Sequence, residues 1–333
     1  MSDPAPDVPD VPAVPVRFVT VLMPVHNGDR YVEQAIESVL SQTHQRFEIL
    51  IIDDGSTDRT PGILDGYARR DPRVRVVHQQ NVDQPATLNR GLELARHDWV
   101  AILDHDDVCL PQRLQRQLEA LAREPKARVI GTHAFEINAD GARLRTRGRG
   151  PTSVNEFHTW YAEGQRVPLI HPSVLLHRPT ILSLGGYDPE FGSSADSELW
   201  ARVSARQPIL VVPEPLILYR IHRESMSFER MFEQRERLRW ITAQELARRS
   251  GDPVPSLESF RARRRRNLAL RWGDLQQDLF WYFKSYCLLA LDEGRRPAAA
   301  ALAVCAAFLA PGLAIRRVRR AFSARLAQSS RLA

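Results

Sequence analysis

Leu103-Asp104-His105-Asp106-Asp107 places three carboxylates within four consecutive positions. Charges that close repel, so they stay ionised only beside a cation or strong hydrogen-bond donors. Oxygen ligands without cysteine suit a hard ion, Mg2+ or Mn2+, of the kind usually shared with substrate phosphates. The run also fits a plainer role as the acidic approach to a helix, since Pro111 soon opens a helical stretch whose first turn favours negative charge. Two other polar clusters, Pro24–Asn27 and Asp53–Ser56, follow apolar runs in the same way, and Asp196 heads a helical pattern that carries Trp200.

The elements that must position these groups are legible as alternating patterns. Arg17–Met23 and Phe47–Ile52 are near-continuous apolar runs that predict buried strands. Further strands are predicted at Val74–His78, Trp99–Leu103, Val129–Phe135, Val174–His177 and Ile209–Val212. Asp29 begins a helical pattern with Val32, Ala35, Ile36, Val39 and Leu40 on one face, and other helices are predicted at Gln84–Arg96, Gln112–Arg123 and Ser197–Ala205. Thr60-Pro61 reads as a helix N-cap followed by a first-turn proline. Strands alternating with helices predict an α/β fold with a mostly parallel central sheet covered on both faces. In such sheets ligands sit beyond the carboxyl ends of the strands, where the three polar clusters fall. Residues 136–170 read as an irregular, mobile insertion rich in arginine and glycine.

Composition narrows the class. The chain has 333 residues, 43% hydrophobic and 26% charged, with a mean hydropathy of −0.34, which excludes a disordered, collagen-like or polytopic membrane protein. Net charge is +6, but residues 1–230 sum to −5 and residues 231–333 to +11, which points to a localised anionic partner. Cys109, Cys287 and Cys305 lie far apart with no CxxC pair, so a reducing, cytoplasmic setting is expected. Prolines at 4, 6, 9, 12 and 15 predict a disordered lead-in over residues 1–15, without the positive flank and apolar core of a signal peptide.

Taken together, eight segments resemble the family 2 inverting glycosyltransferases in order along the chain. They are Met23-Pro24-Val25-His26-Asn27-Gly28, Ile52-Asp53-Asp54-Gly55-Ser56-Thr57-Asp58, Leu88-Asn89-Arg90-Gly91, Leu103-Asp104-His105-Asp106-Asp107, His171-Pro172-Ser173-Val174, Gly185-Gly186-Tyr187-Asp188, Asp196-Ser197-Glu198-Leu199-Trp200 and Tyr219-Arg220-Ile221-His222. The resemblance covers roughly residues 17–225 and implies a GT-A fold, with a catalytic domain over 16–227 and a basic helical extension over 228–333.

It also implies roles. Pro24, Val25 and Asn27 would border the donor, with Asp54 accepting a hydrogen bond from the imide N–H of uracil or thymine; Asp54 reads equally as a turn-capping residue, a role that Asp53 would fill instead. Asp104 would contact the ribose or the metal, Asp106 would ligate a Mn2+ or Mg2+ bridging the donor diphosphate, and His222 would lie near both. Asp107 would support the loop or cap the helix. His171, Gly186 and Trp200 would lie at the donor and acceptor pocket, or pack behind it. Asp196 would be the catalytic base, its alternative being an N-cap of the helix carrying Trp200. Three positions depart from the usual pattern: Ala195 stands where a Glu often precedes the base, Leu88 where an Arg often precedes Asn89, and Glu198 where Asp is common. The partners implied are a UDP- or dTDP-sugar donor and a glycan or lipid-linked acceptor, in bacterial cell-surface polysaccharide synthesis.

Beyond Phe228 the residues stand alone. Arg261–Arg266 is a positive block, Leu279–Leu291 is apolar and aromatic, and Pro297–Ile315 is uncharged but interrupted by Pro311-Gly312. These features fit a helix lying on an anionic leaflet at the cytoplasmic face of the inner membrane better than one crossing it, the alternative being helices packed on the catalytic domain. Nucleic-acid binding is not expected, since no recognised module surrounds the arginines. A second functional class is a catalytically silent nucleotide- or glycan-binding relative whose tail recruits partners; a nicotinamide oxidoreductase is excluded by the lack of GxGxxG after the first strand.

Overall fold

The computed structural model describes residues 18–222, 225, 229–292 and 294–309. The proline-rich lead-in and Pro311–Arg320, with its arginine cluster, lie outside the described residues. The chain divides into two compact units between Ile221 and His222.

The first unit is built on a nine-stranded sheet ordered β3-β2-β1-β4-β8-β6-β9-β5, with β7 paired to β6. β1 (Val19–Val25), β2 (Phe47–Asp54), β3 (Val74–Gln79) and β4 (Trp99–Ile102) are mutually parallel, and every residue of β1 and β2 is buried. That is why these strands read as unbroken apolar runs: helices cover both faces, so alternation is lost. Two polar groups buried inside this block are paired with each other, the Thr20 hydroxyl donating to Glu48 Oε1 at 2.7 Å, as buried polar groups require. Beyond β4 the sheet becomes mixed. β8 (Leu175–His177) runs antiparallel to both β4 and β6 (Val129–Ile137), β9 (Ile209–Arg220) is parallel to β6, and the short β5 (Val108–Cys109) pairs antiparallel with β9.

The helices α1 (Val32–Leu40), α2 (Thr60–Arg70), α3 (Gln84–Leu94), α4 (Arg113–Arg123), α6 (Arg178–Ser183) and α7 (Ala195–Ser204) connect these strands. Val32, Ala35, Ile36 and Val39 form the buried stripe of α1. Thr60 is not the cap of α2. It is the first helical residue, and its hydroxyl accepts the Gly28 N–H at 2.8 Å, tying the end of β1 to the helix after β2.

Residues 136–170 are not an irregular insertion. They complete β6, then form β7 (Arg143–Arg147) and α5 (Val154–Ala162). β7 closes a hairpin with β6, and its arginines lie over aromatic rings, Arg143 over Phe135 and Arg147 over Tyr219. Ser153 caps α5 by accepting the Glu156 N–H at 3.2 Å, while Glu156 accepts the Thr152 N–H at 2.7 Å.

The second unit is helical: α8 (Met231–Ser250), α9 (Leu257–Arg266), α10 (Leu268–Asp292) and α11 (Arg296–Leu309). Phe280 and Ala306 form a small core between α10 and α11, with Trp281 and Phe283 packed against it. Arg235 and Arg239 of α8 both bond Asp278 of α10. Among the described residues no helix is long and apolar enough to cross a membrane.

Candidate active site

The carboxyl ends of β1, β2 and β4 lie on one edge of the parallel half, and the loops after β1 and β2 are hydrogen-bonded to one another. Pairing of β1 with β4 stops at Leu22↔Ile102, so Pro24, which has no N–H to give, comes after that ladder has ended. Pro24 and Val25 remain paired with Ile52 and Asp53 and are buried. Asn27 has φ 50°, an uncommon left-handed conformation for a residue other than glycine. Its N–H donates to Ser56 Oγ at 2.9 Å and its Oδ1 accepts the Thr57 N–H at 2.8 Å, which explains how the strain is held. Gly28 must lack a side chain, because a Cβ there would lie 2.5 Å from the His105 ring. The loops after β1 and β4 are thus in contact.

The two acids that end β2 have separate settings. Asp53 is tied into the structure, its Oδ2 2.6 Å from His78 Nδ1 and its Oδ1 accepting the Ser56 N–H at 3.2 Å. Asp54 accepts from Gln79 Nε2 at 2.8 Å and from the Val82 N–H at 3.0 Å, both at Oδ1. Asp53 therefore fills the turn-supporting role, and Asp54 is oriented by neighbours on one oxygen.

The acidic loop after β4 is electrostatically perturbed. Burial drives the Asp104 carboxyl up to about 8, reinforced by the charges of Asp106 and Asp196 and only partly opposed by Arg113. Asp104 Oδ1 is buried with no hydrogen-bond partner. Asp107 is pushed well above the ordinary carboxylate range, first by burial and then by Asp106 and Asp104. Its Oδ1 accepts the Arg220 N–H at 2.7 Å while its Oδ2 is buried without a partner. An orphaned carboxylate oxygen amid only partly compensated negative charge fits a hard cation. Among the described residues no group of three His, Cys, Asp or Glu side chains forms a metal cage. The unpartnered carboxylate oxygens of Asp104 and Asp107 fit a hard cation held by one or two carboxylates together with substrate phosphate.

Asp196 sits in the first turn of α7, where the helix dipole favours an anion, and Ser194 rather than Asp196 occupies the N-cap position. Its Oδ1 accepts the Ser197 N–H at 2.6 Å. Its charge adds to the burial that raises Asp104 and Tyr187 and opposes the burial that lowers His171. His171 Nε2 lies 3.0 Å from the Tyr187 hydroxyl, and its ring is 6.3 Å from that of Trp200, whose Nε1 is buried without a partner. Gly186 packs against α3: with φ 68°, a Cβ there would lie 2.4 Å from Asn89 Oδ1. Asn89 in turn clamps Tyr187 from both sides, donating to its carbonyl at 2.7 Å and accepting its N–H at 2.8 Å. Glu198 is buried and bidentate on Arg202, which donates onward to the carbonyls of Leu184 and Gly186. Its carboxylate fixes the Gly185-Gly186 turn. His222 is the first residue of the second unit, and its carbonyl accepts from the Ser225 hydroxyl at 2.8 Å.

Three supporting residues had no role assigned from sequence. Arg113 is fully buried and donates to the carbonyls of Ile102 at 2.8 Å and Val174 at 3.2 Å. Gln117, one turn on, donates to Ile130 and Ser173 carbonyls at 2.6 and 2.9 Å. Both occupy the buried face of α4 with Leu114 and Leu121, so polar side chains at apolar-face spacing were the signal. Arg220 closes the acidic loop, bonding the Asp106, Asn138 and Ala139 carbonyls and Gln34.

Residues 20–181 match the family described as Glycosyl transferase family 2. The architecture is the GT-A fold. Among curated proteins it is 32% identical to glycosyltransferase GlyG of Streptococcus pneumoniae over 125 residues, 37% of this chain and 42% of GlyG. The matches span between 30% and 42% of the length of five such relatives. Among solved structures it is similar to S. aureus TarS 1-349 in complex with UDP-GlcNAc, with TM-score 0.53 and 14% identity over 86% of this chain and 90% of that one. It is also similar to the mannosyltransferase PcManGT from Pyrobaculum calidifontis in complex with GDP-Man and Mn2+, with TM-score 0.53 and 19% identity over 92% of this chain and 90% of that one.

Proposed function

We propose that the protein is an inverting glycosyltransferase that moves a sugar from a nucleoside-diphosphate donor to a hydroxyl of a glycan or lipid-linked acceptor in envelope polysaccharide synthesis. The observation that supports this reading is the buried, unpartnered Oδ1 of Asp104 in the acidic loop after β4, with the charges of Asp106 and Asp196 among those that push its carboxyl up. Asp196 takes the acceptor hydroxyl proton as that oxygen forms its bond to the anomeric carbon. The bond from this carbon to the diphosphate breaks on the opposite face, and the diphosphate leaves with the electron pair. Asp104 and Asp106 would hold a Mg2+ or Mn2+, which when bound offsets the charge of the leaving diphosphate.

Pro24 and Val25 border the base, Asn27 shapes the loop over it, and Asp54 meets the imide N–H of a UDP- or dTDP-sugar. Asp107 keeps the acidic loop in place, and Trp200 with His171 and Gly186 backs the sugar and acceptor. The +11 charge of residues 231–333 supports work at the cytoplasmic face of an anionic membrane. The test is a donor screen that follows nucleotide release with Mn2+ present. Release from a UDP- or dTDP-sugar, lost in Asp196→Asn while donor binding persists, is expected; full activity of that variant would remove Asp196 from the role of base.

A further inference from the structure

The second unit contains a cavity of about 840 Å3, lined by residues of α8, α9 and α10. Five of its lining residues are arginines and three are carboxylates. Three arginines are neutralised within the wall: Arg261 is bidentate on Glu236 at 3.0 and 2.6 Å, Arg239 on Asp278 at 2.7 and 2.8 Å, and Arg264 bonds Asp274. Arg265 and Arg271 have no carboxylate partner among the described residues, and both are exposed. The wall therefore presents two uncompensated positive charges.

The same wall is apolar along one helix face. Leu268, Trp272 and Leu275 recur at i, i+4 and i+7 on α10 and are 74, 61 and 46% exposed. Arg271 lies on that face between them. Large side chains left in water beside unpaired guanidinium groups match a ligand that carries both an anion and a hydrocarbon chain. A soluble polyanion would satisfy the arginines and leave the leucines wet. Nucleic acid would use the tryptophan ring but has no partner for Leu268 and Leu275.

We propose that this cavity seats the phosphate of an anionic bilayer lipid, held by Arg265 and Arg271, while Leu268, Trp272 and Leu275 enter the boundary with the acyl chains. The site rests on the membrane-surface location proposed above and specifies which residues make the contact. Tryptophan suits the position because its ring is apolar while its N–H remains at the polar level.

The test uses the full chain with vesicles of phosphatidylcholine alone or with 30% (about one lipid in three) phosphatidylglycerol. The protein should sediment with the anionic vesicles only. Each basic side chain near such a surface contributes ~1 kcal/mol, so the double variant Arg265→Gln/Arg271→Gln should bind roughly 30-fold more weakly. Phosphatidylglycerol with brominated chains should quench tryptophan fluorescence, and Trp272→Phe should remove most of that quenching while still binding. Wild-type binding with unchanged affinity in the double variant and unchanged quenching in Trp272→Phe would overturn the cavity as the site and leave the membrane location standing. Failure of the wild type to sediment with anionic vesicles would overturn both, as would saturable binding of a single-stranded oligonucleotide in their place.

Discussion

The backbone N–H of Arg220 donates to Asp107 Oδ1 at 2.7 Å while its Nε donates to the Asp106 carbonyl at the same distance. One residue at the end of β9 thereby holds the acidic loop after β4 by a side chain and by a main chain. The remaining guanidinium nitrogens reach the carbonyls of Asn138 and Ala139 and Gln34 Oε1, and the guanidinium lies 4.3 Å above the Tyr31 ring. The position of the acids thus depends on a cation that is itself fully engaged.

Arg220→Ala should therefore cost about 3–5 kcal/mol, because it strands buried acceptors and leaves Asp107 without its counter-charge. Arg220→Lys keeps the charge but not the planar fork, so it should recover only part of that loss. Denaturant midpoints with unchanged m-values would establish this. Donor affinity should fall in step, as the acidic loop loses its support.

Asp196→Asn and Asp106→Ala should separate chemistry from donor binding. Losing a positioned base typically costs about 10²–10⁴ in rate, so Asp196→Asn should lower kcat on that scale with donor Kd little changed. Asp106→Ala should instead weaken metal-dependent donor binding, read by calorimetry with and without Mn2+. Equal effects of both variants on donor Kd would contradict the division of roles.

Acid stability should depend on His177. Burial, aided by the charge of Arg128, lowers it from the usual 6.5 to about 4. As pH falls through 6.5 the unfolded chain takes up the proton first, so stability present above that value is lost progressively down to about 4. The loss should approach ~3 kcal/mol. His177→Asn, which cannot titrate, should flatten the unfolding free energy measured across that interval; an unchanged slope would reassign the acid sensitivity.

Gly186→Ala should destabilise the protein by about 1–3 kcal/mol, through the left-handed backbone and the collision with Asn89. Asn89→Ala should reproduce much of this loss, since Asn89 both donates to and accepts from Tyr187. Because the two substitutions affect one contact, the double variant should cost clearly less than their sum in a mutant cycle.

Local pattern was sufficient where a side chain's surroundings follow from its own segment. The unbroken apolar runs of β1 and β2 announced strands covered on both faces, and the stripe of α1 followed from spacing alone. The order of the motifs was enough to recognise the GT-A fold. Residues 136–170 read as irregular because arginine-rich β7 has no apolar run of its own and is stabilised by pairing with β6 and by the rings of Phe135 and of the sequence-distant Tyr219. The Ser153/Glu156 capping pair was a local signal there that went unread.

The amino-acid sequence alone thus determined which acids end which strands, because strand and helix periods are properties of contiguous residues. Only tertiary structure decided which of them are spoken for. Asp53 is committed to His78, 25 residues away, and Asp107 to Arg220, 113 residues away, whereas Asp104 keeps a buried oxygen without a partner. Hydrogen bonding and desolvation act between groups close in space, and folding alone sets which groups those are.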